Sequence, residues 1–209
     1  MKKVYLLLLL LAALSGYSQS NYKKISENYY RSVPFDREFS KFLNHLMNDP
    51  TIINKKVLKR TDSTLFYLKG SYTTHNPFFF KSIRTDVILA EREEIVEQDS
   101  IKFLHTVYAY QLIGYAPPGE EGMKEVKNEF EKFCRHYKKG YFDSKYHELN
   151  KDEKETGEVR DYSFKYLNFF PLTVAWATYS NHNNNLFTIT IRFKVINNIA
   201  YLPESPDGF

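Results

Sequence analysis

One short stretch of this chain gathers side chains of the kinds that carry out acid and base chemistry. Tyr146, His147 and Glu148 place a phenol, an imidazole and a carboxylate side by side, and Asp143 adds a second carboxylate. General acid–base catalysis uses such groups, so one hypothesis is a hydrolase in which His147 acts with Glu148 or Asp143. Because local clusters of charge usually mark surfaces, the alternative interpretation is a solvated helix end.

No known catalytic spacing organises these residues. The sequence lacks the His-Glu-x-x-His zinc motif, the Gly-x-Ser-x-Gly nucleophile elbow and a glycine-rich phosphate loop. The histidines are scattered, with no pair at ligand spacing on one element, so we expect neither a metal site nor a cofactor. They are His45, His75, His105, His136, His147 and His182.

A thiol and a second imidazole lie two residues apart, at Cys134 and His136. On a helix such positions point away from each other, and Cys134 belongs to an apolar stripe. We therefore predict that Cys134 packs in the core and that His136 is exposed without a catalytic role.

Two tyrosines on one predicted strand raise the question of an aromatic ligand site. Tyr108 and Tyr110 share one face of that strand, whereas Val107 and Ala109 belong to the other. If helices cover the valine face, the tyrosines form an open strip that stacks on a sugar or a small apolar ligand. If helices cover the tyrosine face, both rings are core, as large aromatic side chains usually are. Trp176 is predicted to be core as well.

Hydrophobic periodicity predicts two helices and a series of strands. Residues from about 34 to 48 have apolar positions at helical spacing, and residues 123–137 trace one apolar stripe that Gly140 is suited to end. Residues 150–159 are predicted to be a solvated connector. Strands are predicted at 52–58, 65–72, 85–97, 101–115, 162–167, 172–179 and 186–195.

Short turns join the predicted strands, which favours antiparallel pairing. The predicted fold class is α+β, with a mainly antiparallel curved sheet and two main helices packed on one face. No internal repeat is visible in the sequence. A helix followed by such a sheet is similar to the scaffolds of nuclear transport factor-like and cystatin-like proteins. This resemblance of architecture implies no residue roles, because those scaffolds host both enzymes and binding proteins.

The first eighteen residues have the features of a secretory signal peptide. Two lysines precede an apolar run from Val4 to Leu14, and the small residues Gly16 and Ser18 suit signal peptidase. The run is roughly half the length that a membrane-spanning helix needs, so we expect cleavage and no stable membrane span. The predicted organisation is a signal peptide at 1–18, a flexible leader at 19–33 and one α+β domain at 34–209.

Composition excludes several classes of protein. Cys134 is the only cysteine, so the chain has neither an intramolecular disulfide nor a lipidation cysteine after the signal. The formal net charge of +4 includes the two lysines of the signal, and the only dense basic stretch after it is 55–60. Nucleic acid is therefore not expected as a partner. We expect a soluble protein in the periplasm or outside the cell.

Three functions fit these observations. The first is an exported, non-catalytic binding or interaction protein, whose partner is a protein or a small-molecule or glycan ligand. The second is the secreted hydrolase described above. The third is an inhibitor or immunity protein against a secreted toxin, in which Glu91, Glu93 and Glu94 supply an acidic steering surface.

Overall fold

In the computed structural model, eight strands form one sheet in which every neighbouring pair is antiparallel. The residues described are 39–61, 64–73, 79, 82–98, 101–138, 142–151, 155–164, 171–181 and 184–196. The predicted signal peptide, the predicted leader, residues 34–38 and Gly140 lie outside the described residues.

Within the described residues, the chain forms two helices and the eight strands. The helices are α1 (Phe39–Asn48) and α2 (Glu120–Lys138). The strands are β1 (Ile52–Thr61), β2 (Thr64–Tyr72), β3 (Arg84–Gln98), β4 (Ile101–Ala116), β5 (Phe142–Lys151), β6 (Glu155–Phe164), β7 (Leu172–Asn181) and β8 (Asn184–Ile196).

The strand order reveals a repetition that the sequence pattern does not show. Across the sheet the order is β1-β2-β3-β4-β8-β7-β6-β5. Each helix is followed by four strands that meander, and the two meanders meet where β4 pairs with β8. The chain therefore builds the same unit of one helix and four strands twice. The predicted α+β class with an antiparallel sheet is confirmed.

Both helices cover the same face of the sheet, and the core lies between the helices and this helix-side face. The Phe42 ring of α1 packs edge-to-face against the Tyr110 ring of β4, with 4.9 Å between the ring centroids. Tyr110 faces Phe193 of β8 in the strand register. In the other half, the Tyr137 ring of α2 meets the Tyr162 ring of β6 at 5.6 Å. All five rings are buried. Burial of each side chain of this size stabilises the fold by about 2 kcal/mol.

A polar turn ends α1 and leads into an irregular edge strand. The Asp49 carboxylate accepts hydrogen bonds from the backbone N–H and the hydroxyl of Thr51, at 2.8 and 2.6 Å. The Lys55 ammonium donates to the carbonyls of Met47 and Asp49, at 2.6 and 2.7 Å, and so satisfies acceptors at the helix end. Beside Lys55, Asn54 has a φ of 53° and the pairing of β1 with β2 shifts register. β1 is therefore a bulged edge strand.

Two strands lie where the sequence pattern predicted other structure. The predicted solvated helix end around residue 146 is wrong, because residues 142–151 form β5. The predicted connector at 150–159 is also wrong, since it contributes to β5 and β6, which pair as a hairpin. β5 is the edge strand of its half, and Ser144, Tyr146 and Glu148 are exposed. An edge strand of this kind lacks the apolar alternation that marks a half-buried strand.

Within the part of the chain that the structure describes, the hairpin of β3 and β4 extends beyond its neighbours as a two-stranded ribbon. In the register, β2 pairs with β3 only as far as Glu91, and β8 pairs with β4 only as far as Val107. Further along the ribbon Ile95 faces Leu104, and these two apolar side chains are 67% and 65% exposed. The ribbon therefore presents apolar surface to solvent.

Candidate binding surface

Strand β5 separates the residues that the sequence places side by side. Neighbouring positions of an extended strand belong to opposite faces of the sheet. Tyr146 and Glu148 occupy helix-side positions, because they face Arg160 and Glu158 in the register with β6. His147 occupies a position on the opposite face. The strand therefore assigns His147 and Glu148 to different faces.

Asp143 and His147 occupy the same face but at different points along the strand. Four residues of extended chain span about 13 Å, which exceeds hydrogen-bond distance. In the register, Asp143 faces Ser163 and His147 faces Val159. The backbone therefore brings neither Asp143 nor Glu148 to His147, and the hydrolase hypothesis gains no support from this arrangement.

The helix-side face of β5 and β6 instead brings Tyr146 together with residues that the sequence analysis did not single out. The Tyr146 hydroxyl donates a hydrogen bond to the Glu158 carboxylate at 3.2 Å. The Arg160 guanidinium lies over the Tyr146 ring, 4.9 Å from its centroid, and donates to the Ser144 hydroxyl at 3.5 Å. Tyr146 is nevertheless 46% exposed. We call this group, together with Glu148, the Tyr146–Arg160 surface.

The surroundings of Tyr146 raise the pKa of its hydroxyl above the ordinary tyrosine value. Partial burial raises the pKa of Tyr146, and the carboxylates of Glu158 and Glu148 raise it further. Glu148 and Glu158 face each other across the strand pair, an arrangement of like charges that disfavours the hairpin. The Arg160 guanidinium acts in the opposite direction on the tyrosine pKa. The surface thus presents a phenol donor and one cation beside two carboxylates.

Helix α2 lies beside this surface, on the same face of the sheet. The Tyr162 hydroxyl donates to the backbone carbonyl of Cys134 at 3.4 Å. Burial raises the pKa of the Cys134 thiol, with smaller opposing effects from Tyr162 and Arg160. Cys134 packs against the core and His136 is exposed, so the prediction of core packing for the cysteine is confirmed. A half-buried thiol with a raised pKa is a poor nucleophile.

A tryptophan and a lysine continue the surface toward α2. Trp176 of β7 faces Glu158 of β6 in the register and is 5% exposed, which confirms its predicted place in the core. The Lys127 ammonium of α2 lies 4.7 Å from the centroid of the Trp176 ring. A cation above an indole is a favourable contact of about 1 kcal/mol at a partly exposed site.

Tyr108 and Tyr110 do not form an open aromatic strip. The helices cover the tyrosine face of β4, and the two residues are 7% and 0% exposed. This is the second of the two alternatives that the sequence left open. Neither ring is accessible to a sugar or another ligand, because both belong to the hydrophobic core.

Two other charged clusters among the described residues have structural explanations. The Asp86 carboxylate is 2% exposed and accepts hydrogen bonds from the hydroxyls of Ser71 and Tyr115, at 2.6 and 3.1 Å. Arg84 forms an ion pair with it at 3.3 Å. Because its oxygens already accept hydrogen bonds and ion pairs from within the sheet, the role of Asp86 is structural.

A shallow basic depression also lies near the end of α2, where cations complement the helix dipole. It is lined by Lys132, Arg135, His136 and Lys138.

The three glutamates predicted to form an acidic steering surface do not share one face. Glu91 and Glu93 occupy helix-side positions, whereas Glu94 lies on the opposite face and pairs with the Lys194 ammonium at 2.9 Å. Glu91 faces Tyr108 in the register, and partial burial raises the pKa of its carboxyl. The described structure therefore offers no single acidic surface made of these three residues.

The raised pKa of Glu91 leads to a prediction about stability. Ionised Glu91 is less favourable in the folded than in the unfolded chain, so this cost is absent below the unfolded pKa, near 4.3, and present above the folded pKa. Glu91→Gln is therefore expected to raise the free energy of unfolding at pH 7 by about 0.5 kcal/mol, a small gain because solvent screens a partly exposed side chain. The gain should disappear near pH 4, as measured by urea unfolding.

The neighbouring variant Glu93→Gln supplies the control, because Glu93 is exposed on the same strand. It should unfold like the wild type at both pH values. A loss of stability in Glu91→Gln at pH 7 would show that the ionised carboxylate has a favourable partner.

No three His, Cys, Asp or Glu side chains of the described residues come together as metal ligands. In that same part of the chain, no helix is both long enough and apolar enough to cross a membrane. Comparison with known proteins yields no matching family model, curated protein or solved structure. The Tyr146–Arg160 surface is therefore interpreted from its own geometry and chemistry.

Proposed function

We propose that the protein is an exported, non-catalytic binding protein that contacts a partner protein through the Tyr146–Arg160 surface. Export is inferred from the predicted signal peptide at residues 1–18. One observation carries the proposal of binding: the Arg160 guanidinium lies 4.9 Å from the centroid of a tyrosine ring that is itself 46% exposed.

Tyrosine and arginine are among the residue types that contribute most to protein–protein binding. The Tyr146 ring supplies apolar contact area and Arg160 supplies several directed donors. Contacts with Glu158 and Ser144 already restrict these two side chains. Because little rotamer freedom remains, these side chains lose less conformational entropy on binding than two unrestrained side chains would.

The shape of the surface favours a protein partner over a small ligand. Small-molecule sites are concave and enclose most of the ligand. Here Ser144, Tyr146 and Glu148 are all exposed along one edge strand. With one guanidinium beside two carboxylates, the surface suits a partner that presents both acidic and basic groups.

Affinity capture with the mature protein tests this proposal. Tagged wild-type protein and the Tyr146→Ala variant are incubated with envelope and culture-medium fractions of the source organism, and captured proteins are quantified by mass spectrometry. We expect a protein that the wild type enriches and Tyr146→Ala does not. With that partner purified, Tyr146→Ala should weaken binding at least about tenfold, the effect typical of a tyrosine hot spot.

Leu58→Ala is the matched control, because Leu58 is 55% exposed on β1, the other edge strand. It should capture the partner as well as the wild type does. Capture that Tyr146→Ala leaves unchanged would place the binding surface elsewhere. Turnover of an ester, peptide or glycoside substrate by the wild type that is lost in His147→Ala would contradict the non-catalytic assignment.

A further inference from the structure

The two edges of the sheet differ in their suitability for pairing with another strand. Edge strands expose unpaired backbone N–H and C=O groups, and natural proteins guard them with bulges and charged residues. β1 is guarded by the bulge at Asn54 and by neighbouring lysines. β5 pairs with β6 in an unbroken register from Phe142 to Lys151, with no bulge. In the described part of the chain, β5 has no strand on its outer side.

A regular edge of this length is a template for β-strand addition. Main-chain hydrogen bonds provide the attraction in such complexes, and the facing side chains decide which strand fits. β5 contains no proline, which would remove a donor, and its sequence is FDSKYHELNK. The distribution of charge along this sequence therefore determines the partner.

Among the registers that overlap most of the strand, a second copy of β5 matches this charge pattern in one. A two-fold axis normal to the sheet makes the two strands antiparallel and keeps each face continuous, so facing positions have the same parity. When the register is centred on His147, the overlap covers 143–151 and position 143 faces position 151 at both ends. Asp143 then faces Lys151 of the other copy twice, and opposite charges facing each other stabilise a strand pair.

The neighbouring registers lack this match. Centred on Tyr146, the pairing places no two opposite charges directly across from each other. Centred on Lys145 or on Glu148, it places a charged residue opposite its own copy, which is unfavourable. Centred on Ser144, the pairing does place Asp143 opposite Lys145, but it overlaps only residues 142–146. Overlap length and charge together therefore select the arrangement centred on His147.

We infer that the β5 edge forms an antiparallel dimer with a second copy of this chain, in the register that places position 143 opposite position 151. The two sheets then continue into one another. On the helix-side face, Tyr146 of one copy neighbours Glu148 of the other, so the two Tyr146–Arg160 surfaces lie side by side. The inference does not depend on the proposed function, because no external partner takes part in the pairing.

Charge exchange at the two ends of the register tests this dimer. Mature wild-type protein, examined by sedimentation velocity at neutral pH from about 1 µM to about 500 µM, should form dimers as concentration rises. Asp143→Lys and Lys151→Asp should each weaken the dimer at least about tenfold, because each places like charges opposite one another twice. An equimolar mixture of the two variants should form a heterodimer, and the double variant should recover the wild-type constant within about threefold.

Recovery in the mixture also shows that both single variants are folded. The control is Lys124→Glu, an exposed charge reversal on α2 that should leave the dimer unchanged. A wild type that stays monomeric at every concentration overturns the inference. A dimer that is insensitive to both single variants, or that the mixture does not restore, also overturns it. The assay contains no other protein, so its failure leaves the capture experiment with Tyr146→Ala independent.

Discussion

Replacing Asp86 with alanine is expected to lower the free energy of unfolding by about 3 kcal/mol. The carboxylate is 2% exposed and holds the hydroxyls of Ser71 and Tyr115 together with the Arg84 guanidinium. Its removal leaves two partly buried hydroxyls without their acceptor and takes the ion-pair partner from Arg84 and Lys69. The loss falls at the lower end of the range for buried ion pairs, because Arg84 is 52% exposed and water can hydrate it. Urea unfolding of the protein measures the change.

Asp86→Asn separates the contribution of hydrogen bonding from that of charge. The amide keeps one acceptor oxygen and nearly the same volume, so this variant should lose only about half as much stability as Asp86→Ala. Arg84→Ala should cost less than about 1 kcal/mol, since its side chain is half exposed. If Asp86→Ala unfolds like the wild type, the two hydroxyls must find other acceptors, and Asp86 does not stabilise the sheet in this way.

The sequence predicts those elements whose buried and exposed faces alternate clearly. In β8, Phe187, Ile189, Ile191, Phe193 and Val195 are all buried, as their two-residue period predicts. The same holds for α2, where Val126, Phe130, Phe133 and Tyr137 form a buried stripe. In both cases the apolar positions pack in the core and polar residues occupy most of the other positions, so the periodicity of the sequence predicts the element.

β5 and the start of β6 escape prediction because their local environment does not impose such a period. Ser144, Tyr146 and Glu148 are exposed on the face where an interior strand would carry apolar residues. What holds β5 in place is its pairing with β6, and the pairing of two strands leaves no hydrophobic period in either strand alone. The same is true of the repeated unit of one helix and four strands, which is visible only in the strand order.

Only part of the candidate surface can be predicted from the sequence. The side-chain types of Tyr146 and Glu148 indicate a site, but their closeness in sequence groups them with His147, which occupies a position on the opposite face. The partners that matter, Glu158 and Arg160, are separated from them by a hairpin turn. Their alternation with Gly157 and Val159 on one strand is the signal from which the shared face follows, once residues 155–164 are recognised as a strand.

The entry into α2 shows how tightly the chain is folded where the two repeated units join. β4 ends at Ala116, and a turn through Gly119, whose φ is +103°, leads into the helix. The Met123 N–H donates to the Gly119 carbonyl at 3.1 Å. The carbonyl oxygen of Pro117 folds back against Gly122 so closely that a Cβ atom there would overlap it. Since that oxygen belongs to the backbone, it cannot move without displacing the turn.

Gly122→Ala is therefore expected to destabilise the protein by about 3 kcal/mol, the upper part of the range for overpacking. A loss of stability would distinguish steric overlap with the Pro117 carbonyl from the usual effect of this substitution. In an ordinary helix interior, replacing glycine with alanine stabilises by about 1 kcal/mol, because alanine loses less backbone entropy on folding. Asn128→Ala, at an exposed position of the same helix, is the control and should stabilise slightly. If urea unfolding shows that Gly122→Ala is also neutral or stabilising, the close approach of the Pro117 carbonyl is not what determines glycine at this position, and the turn must have room to shift.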